Sequence, residues 1–175
     1  MHDDLYANAV ALTVGADRAV LIALDVCSLE VAQARRLQRA VSARTGVLAD
    51  AVLLNCSHTH AGPLISRVAA DRIDEAALER VLSGAVEAAA AAVADLSPAT
   101  LGTSWAPADI GCNRRERTPS GEIILGVNPE GPTLREATVW RFAREDKTNV
   151  VLFSIPVHGT TLGGENLWIS AEWMG

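Results

Sequence analysis

The first third of the chain alternates between aliphatic runs and short polar breaks. Residues 5–14 and 19–25 are rich in aliphatic and β-branched side chains, and a turn-forming segment, 15–17, separates them. This pattern predicts two strands joined as a hairpin. A further apolar run, 51–55, is short enough to be a buried strand.

Two segments have apolar residues at helical spacing instead. The first follows Ser28, whose hydroxyl is a suitable helix cap, and ends at Gly46, the residue type that most often ends a helix. The second runs from about residue 74 to residue 95 and has an alanine-rich tail. The Ser97-Pro98 pair should stop it, because the residue before a proline is disfavoured in helical conformation.

Four more apolar stretches have the composition of strands. They are residues 99–105, 122–126, 136–143 and 149–157. A polar turn over residues 144–147 makes the last two a second hairpin. The succession of strand, helix, strand and helix, followed by several strands, predicts an α/β fold with a mixed β-sheet layered with helices. A chain of 175 residues, about half of them apolar, has the size of one domain.

Both ends of the chain have the pattern of an interrupted element. Ser170 and Glu172 supply the capping hydroxyl and the first-turn carboxylate of a helix, yet the chain ends at Gly175. The first predicted strand likewise begins almost at the first residue. We therefore expect residues 1–175 to be an incomplete single domain of a longer protein.

Composition narrows the classes of partner and compartment. The net charge is −6 and no basic block is present, so long nucleic acids and anionic membranes are poor candidate partners. No apolar run reaches the roughly 18–20 residues that a transmembrane helix needs, and the first residues lack the basic start of a signal peptide. As written, the chain is expected to be cytoplasmic. The sequence carries no signal for an oligomeric state.

The three cysteines, Cys27, Cys56 and Cys112, are an odd number and have no metal-like spacing. Two of them lie in or next to apolar runs, where a thiol packs as a small hydrophobic group. We therefore expect no disulfide framework.

Two of the four histidines, His58 and His60, directly follow the predicted strand 51–55. Side chains at positions i and i+2 of an extended segment point to the same side, so both imidazoles can face one point, and imidazole is a favoured zinc ligand. The alternative is a pair of hydrogen-bonded polar residues in a turn. His158 follows the last predicted strand in the same way, which favours a shared metal site at the strand ends.

Three other polar residues lie close to these loops. Asp25 closes a predicted strand, where its carboxylate either caps the following turn or orients a metal-binding histidine. Arg114 follows a glycine in a predicted loop, where it either binds a substrate carbonyl or carboxylate or is a solvated charge. Glu165 is a ligand, a base or a surface acid, and position alone does not decide between these roles.

Six segments of the chain carry a resemblance to a known family. In chain order they are HDDLYANAVAL, VLIALDV, SHTHAGP, IGCNRR, VNPEGP and PVHGTTLGGENLWISAEW. Together they resemble the N-terminal catalytic domain of the neutral/alkaline, non-lysosomal ceramidases, and SHTHAGP and the last segment are the most specific. The resemblance implies a zinc-dependent amidase that cleaves the N-acyl bond of ceramide, giving sphingosine and a fatty acid. Members of this family are often secreted or membrane-associated.

The resemblance also implies roles for individual residues. His58 and His158 correspond to zinc ligands, His60 lies beside the metal, and Arg114 lines the substrate site. Two further ligands of the family, a glutamate and a tyrosine, and a serine at the reaction centre come from later parts of the family's domain and have no counterparts here. We therefore expect these 175 residues alone to hold zinc weakly and to show little or no turnover.

Two alternatives to a ceramidase-like enzyme stay open at this point. One is a metallohydrolase of the same scaffold that acts on another amide or ester. The other is a non-catalytic domain that has lost the remaining metal ligands. For either hydrolase, the expected partner is a small substrate, which for the ceramidase-like reading is a lipid-like amide.

Overall fold

The computed structural model describes residues 1–67, 71–145 and 147–175. Over these residues the chain forms two compact units. Residues 1–96 and 159–175 make up the first unit, and residues 97–158 make up the second.

A mixed three-stranded sheet forms the centre of the first unit. Strands β1 (Ala7–Val14) and β2 (Asp17–Leu24) form the predicted antiparallel hairpin, with Gly15 in its turn at a φ of 60°. Strand β3 (Val52–Cys56) pairs with β2 in parallel, so the strand order is β1-β2-β3. The prediction of an α/β fold with a mixed sheet is therefore confirmed.

Helix α1 (Val31–Thr45) begins later than its sequence pattern predicts. Its N-cap is Glu30, whose side chain and that of Gln33 form a reciprocal capping box. The prediction that Ser28 caps this helix was wrong, because the Ser28 hydroxyl instead lies 2.6 Å from the hydroxyl of Ser66. Ser28 and Glu30 both lie just before the helix. Glu30 is the N-cap because it and Gln33 form both hydrogen bonds of a capping box.

The other helix boundaries follow the predicted signals closely. Helix α1 ends at Gly46, which adopts the left-handed conformation at a φ of 75°. Helix α2 (Glu75–Ala94) begins after Asp74, and the Asp74 carboxylate accepts a hydrogen bond of 2.8 Å from the backbone N–H of Ala77.

Within the described parts of the chain, no helix is both long and apolar enough to cross a membrane.

The hydrophobic core of the first unit lies where the two helices meet each other and the sheet. Alternate residues of β2 are buried, as the two-residue period of a strand requires. Helix α1 contributes Leu37 and Val41, and α2 contributes leucines and small alanines that allow close packing. The buried side chains of the central strand are Val20, Ile22 and Leu24.

The cap of α2 leads to a first testable prediction. Replacing Asp74 with Ala should lower the free energy of unfolding by about 1 kcal/mol, because the first turn loses the acceptor for an N–H group. Chemical denaturation followed by circular dichroism measures this change. Asp74→Asn is the matched control, since asparagine caps as well as aspartate and should keep most of the stability. Equal losses in both variants would contradict a capping role.

The second unit is built from antiparallel strands. They are β4 (Thr100–Pro107), β5 (Asn113–Arg117), β6 (Ile123–Asn128), β7 (Glu136–Ala143) and β8 (Val150–Ser154). One sheet has the order β4-β7-β8, and β5 and β6 form a separate two-stranded ladder. The turn predicted over residues 144–147 connects β7 and β8 as expected, although Asp146 lies outside the described residues.

Strand β5 corrects a prediction. The segment containing Arg114 was predicted to be a loop, because it is polar and follows a glycine. It is extended because its backbone pairs with that of the apolar strand β6, with an irregularity in register between Asn113 and Arg115. A partner strand that follows after a short turn therefore decides the conformation of this polar segment.

Candidate metal centre

The loop that follows β3 carries His58 and His60. Their ring centroids are 5.0 Å apart and the ring planes make an angle of 82°. The rings are neighbours, but not for the predicted reason, because the backbone does not stay extended through the loop. His58 has a φ of 65°, a left-handed conformation that is uncommon for a residue with a side chain. Such local strain often occurs at functional sites.

The ring of His58 is oriented by the backbone of Cys27. Its Nδ1 lies 2.6 Å from the Cys27 carbonyl oxygen. A carbonyl oxygen can only accept a hydrogen bond, so Nδ1 carries the hydrogen and Nε2 of the neutral ring has the lone pair. Metal-binding histidines usually have this arrangement, in which an outer acceptor fixes the tautomer and the ring orientation.

Cys27 itself is part of the same cluster. One ligand atom from each of Cys27, His58 and His60 can be chosen so that all three lie within 4.8 Å of one another. The Cys27 Sγ is 3.7 Å from Nδ1 of His58. Partial burial raises the pKa of the Cys27 thiol above its usual 9.0.

The sequence pattern did not indicate this cysteine. Spacing along the chain indicates a metal-binding cysteine only when the other ligands are close in sequence, and residues 27 and 58 are far apart. The signal lies in the pairing of β2 with β3, because parallel strands end at the same edge of a sheet. Cys27 lies three residues past the end of β2 and His58 two residues past the end of β3, so this pairing brings the two residues to the same edge.

Hydrogen bonds within the first unit hold the histidine loop in place. Thr59, between the two histidines, is fully buried and donates a hydrogen bond of 2.8 Å to the carbonyl oxygen of Ser170. The carboxylate of Glu172 accepts hydrogen bonds from the backbone N–H groups of His60, at 2.9 Å, and Leu162, at 3.2 Å. Glu172 therefore ties the histidine loop to the loop that begins at residue 159. Where the pattern predicts a helix start, the chain forms only a short 3₁₀-helix, Glu172–Met174.

Gly159 allows two segments of backbone to approach closely. A Cβ atom at this position would lie 3.0 Å from the carbonyl oxygen of His58 and 2.9 Å from the terminal carbon of Met174. The carbonyl oxygen of Gly159 also accepts a hydrogen bond of 3.1 Å from the N–H of His60. Any larger residue here would push the histidine loop away.

Asp3 supports the segment that carries Glu172. Its carboxylate accepts hydrogen bonds of 2.6 Å from the hydroxyl of Ser170 and from the N–H of Ala171. These two donors, first the hydroxyl and then the backbone group, hold the pKa of Asp3 below its usual 3.8. The first residues of the chain are thereby fixed to the loop beneath the histidines.

The lowered pKa of Asp3 predicts an acid-dependent loss of stability. A depressed pKa in the folded state adds stability that is present above pH 3.8, the unfolded value, and is lost as the pH falls through the lower folded value. Asp3→Asn should therefore be less stable than the wild type near neutral pH, with the difference shrinking below pH 3.8. Denaturation curves at several pH values measure this, and a pH-independent difference would contradict it.

In the second unit, Arg114 and His158 are in contact. A terminal nitrogen of the Arg114 guanidinium lies 2.5 Å from Nδ1 of His158. A guanidinium can only donate, so this Nδ1 accepts and the neutral ring carries its hydrogen on Nε2. Arg114 also lines a cleft of about 350 Å³ within the second unit. Other residues that line this cleft are Cys112, Leu125, Pro132, Leu134 and Pro156.

The two acidic candidates lie elsewhere. The carboxylate of Asp25 accepts a hydrogen bond of 3.0 Å from the N–H of Tyr6, and its own N–H donates to the Tyr6 carbonyl. Asp25 therefore fastens the segment before β1 to the end of β2, a structural role. Glu165 is exposed, as a surface acid would be.

The structure thus brings the predicted site residues together in two pairs. His58 and His60 are neighbours in the first unit, and Arg114 and His158 are neighbours in the second. A common metal site that joins the two pairs stays a prediction.

Comparison with known proteins gives matches among solved structures. No protein-family model matches the sequence, and no curated protein matches it. A ceramidase described as complexed with C2 has a TM-score of 0.73 and 20% sequence identity over 90% of this chain. Neutral ceramidase from Pseudomonas aeruginosa has a TM-score of 0.69 and 19% identity over 90% of this chain.

These matches confirm the resemblance at the level of the fold. The chain has the α/β fold of one part of a neutral ceramidase, and it covers 26% of the length of each of the two structures. At this level of identity the likeness establishes the fold alone. On this fold, Cys27, His58 and His60 form a candidate metal site.

Proposed function

We propose that the chain is a partial N-terminal catalytic domain, spanning residues 1–175, of a zinc-dependent amide hydrolase that acts like a neutral ceramidase. The observation that carries this proposal is the ring of His58, which the Cys27 carbonyl holds in the tautomer that binds metal through Nε2. It occurs on a fold shared with two ceramidases.

The donor set fits a divalent metal ion of intermediate softness. Imidazole nitrogens and a thiol lie within 4.8 Å of one another around His58, and these are the ligand types that zinc prefers. In the proposed enzyme, His58 and His158 hold the ion. A zinc ion bound there would supply the Lewis acidity needed for hydrolysis of an amide.

The chain's own residues have separate tasks in this proposal. His60, at ring-contact distance from His58, takes up or delivers a proton at its imidazole during attack on the amide. Arg114 steadies the oxygen of the scissile amide through its guanidinium N–H groups. Its position beside a cleft supports contact with a substrate.

The tautomer of His158 adds a condition to the proposal. Nδ1 of this ring accepts from Arg114, so the nitrogen that has the lone pair is already engaged. Ligation through His158 therefore requires the guanidinium to leave Nδ1, and the same movement makes its N–H groups available to a substrate.

We propose a ceramide-like substrate, an N-acylated sphingoid base. The test uses the full-length protein and measures bound metal together with fatty-acid release from N-acylsphingosine. A fatty-acid ester and an N-acyl amino acid of the same acyl length serve as comparison substrates. Zinc-dependent release from the N-acylsphingosine supports the proposal, whereas metal-free protein that releases no fatty acid contradicts it. Faster fatty-acid release from a comparison substrate would support an amidase or esterase activity and would contradict a ceramide-like substrate.

A further inference from the structure

We propose that the thiolate of Cys27 is a direct ligand of the metal ion held by His58. This inference rests on the proposed function, because it concerns the same ion, but it assigns a ligand that the resemblance to ceramidases does not imply. The observation behind it is the cluster of Cys27, His58 and His60, whose ligand atoms lie within 4.8 Å of one another.

The distances between these ligand atoms can be compared with those between the ligand atoms of a bound zinc ion. Zinc–nitrogen distances of about 2.0 Å and zinc–sulfur distances of about 2.3 Å place a tetrahedral nitrogen and sulfur about 3.5 Å apart. The Cys27 Sγ is 3.7 Å from Nδ1 of His58, and one ligand atom from each of Cys27, His58 and His60 can be chosen so that all three lie within 4.8 Å of one another. A cysteine side chain turns about one bond, so rotation about Cα–Cβ changes the position of Sγ without a change in the backbone.

The backbone of Cys27 is fixed to the same ring. The Cys27 carbonyl oxygen accepts a hydrogen bond of 2.6 Å from Nδ1 of His58. The carbonyl oxygen of Val26, the residue before Cys27, accepts one of 3.1 Å from the backbone N–H of His58. The thiol therefore starts from an anchored position beside the ring. Little conformational entropy is lost when such a preorganised group binds.

A comparison with Cys56 separates this role from ordinary packing. Cys56 ends strand β3 and packs against the hydrophobic core, as expected of a thiol that acts as a small hydrophobic side chain. Cys27 lies past the end of β2, and its thiol contacts an imidazole. Both cysteines are free thiols, so no disulfide accounts for the position of Cys27.

The added thiolate changes the ligand count of the proposed site. A thiolate from Cys27 would raise the number of protein ligands at the proposed site by one, toward the three found in catalytic zinc sites that keep one position open. On binding, the thiol proton passes to solvent and the sulfur lone pair forms the bond to the metal. A sulfur ligand favours zinc and cobalt over magnesium and calcium.

The test is the absorption spectrum of the full-length protein loaded with Co²⁺. Sulfur-to-cobalt charge transfer absorbs in the near ultraviolet, and the ligand-field bands of cobalt in the visible report binding independently. We expect the charge-transfer band in the wild type and in Cys56→Ser, and its loss in Cys27→Ser. We also expect Cys27→Ser to bind Co²⁺ at least about tenfold more weakly.

The outcomes separate this inference from the proposed function. Visible cobalt bands that depend on His58, without the charge-transfer band in the wild type, would overturn the thiolate ligand and leave the proposed function intact. A charge-transfer band that persists in Cys27→Ser would overturn it as well. If Cys27→Ser fails to fold, the Co²⁺ spectra of the wild type and of Cys27→Ala test the thiolate ligand instead. Absence of cobalt binding together with absence of amide hydrolysis would reject both proposals.

Discussion

Replacing His58 with Ala in the full-length protein is expected to abolish metal retention and amide hydrolysis together. Its ring is the one that the structure holds in a metal-binding tautomer, with Nδ1 bonded to the Cys27 carbonyl at 2.6 Å. Loss of an outer hydrogen-bond partner of a metal ligand typically costs about 10–100-fold in affinity or activity, and loss of the ligand itself should cost more. Metal content after dialysis and the rate of fatty-acid release measure the two effects.

His2→Ala is the matched control for this variant. His2 is another histidine of the first unit. It is exposed, whereas His58 is partly buried, and its Nε2 lies 3.2 Å from the side-chain oxygen of Asn166. Its replacement removes an imidazole and should leave metal content unchanged. If His58→Ala retained stoichiometric zinc, or if both variants lost it equally, the assignment of His58 as a ligand would be wrong.

His60→Ala should behave differently from His58→Ala. The proposal places His60 beside the ion as a proton-transfer group, so the variant should keep its metal and hydrolyse substrate about 10²–10⁴-fold more slowly. The informative result is a slower rate of substrate hydrolysis with an unchanged metal content. Loss of metal in His60→Ala would instead make this imidazole a ligand, which its membership of the Cys27 cluster also permits.

The largest expected effect on stability comes from Leu37. This side chain lies on the inner face of α1, and it is fully buried, with an exposed fraction of 0%. Leu37→Ala should lower the free energy of unfolding by about 2–5 kcal/mol, because the substitution removes buried apolar surface and leaves a cavity in a closely packed core. Helices α1 and α2 both belong to the first unit, so the helical circular dichroism signal during urea denaturation follows its unfolding.

Leu48→Ala is the control with the same chemical change. Leu48 lies in the connection between α1 and β3, and 76% of its surface is exposed. Its truncation should change the free energy of unfolding by less than about 0.5 kcal/mol. Similar losses in the two variants would show that the core does not depend on the inner face of α1.

Local periodicity was sufficient to predict most elements of the chain. The hairpin of β1 and β2, both helices and four strands of the second unit follow from apolar spacing and from turn residues such as Gly15 and Gly46. These signals act between residues close in sequence, so the sequence contains them directly. The α/β class follows from the order of the elements.

The errors arose where two residues compete for one role or where a polar segment gains a strand partner. Ser28 and Glu30 are both adequate caps for α1, and only Glu30 completes a reciprocal pair of hydrogen bonds. Arg114 belongs to a polar segment with no intrinsic preference for a strand, and pairing with β6 makes it extended. In both cases the deciding contact contributes free energy that a single-residue propensity does not include.

For the candidate site, the sequence by itself determined the residue types and the strand ends where they lie, including His58 and His60 after β3. Only the tertiary structure decided that His58 turns into the left-handed region and that its ring is held by the carbonyl of Cys27. The parallel pairing of β2 with β3 causes this meeting, because it places the ends of two strands at one edge of the sheet. Strand pairing of this kind depends on the burial of a shared apolar face, and spacing along the chain does not encode it.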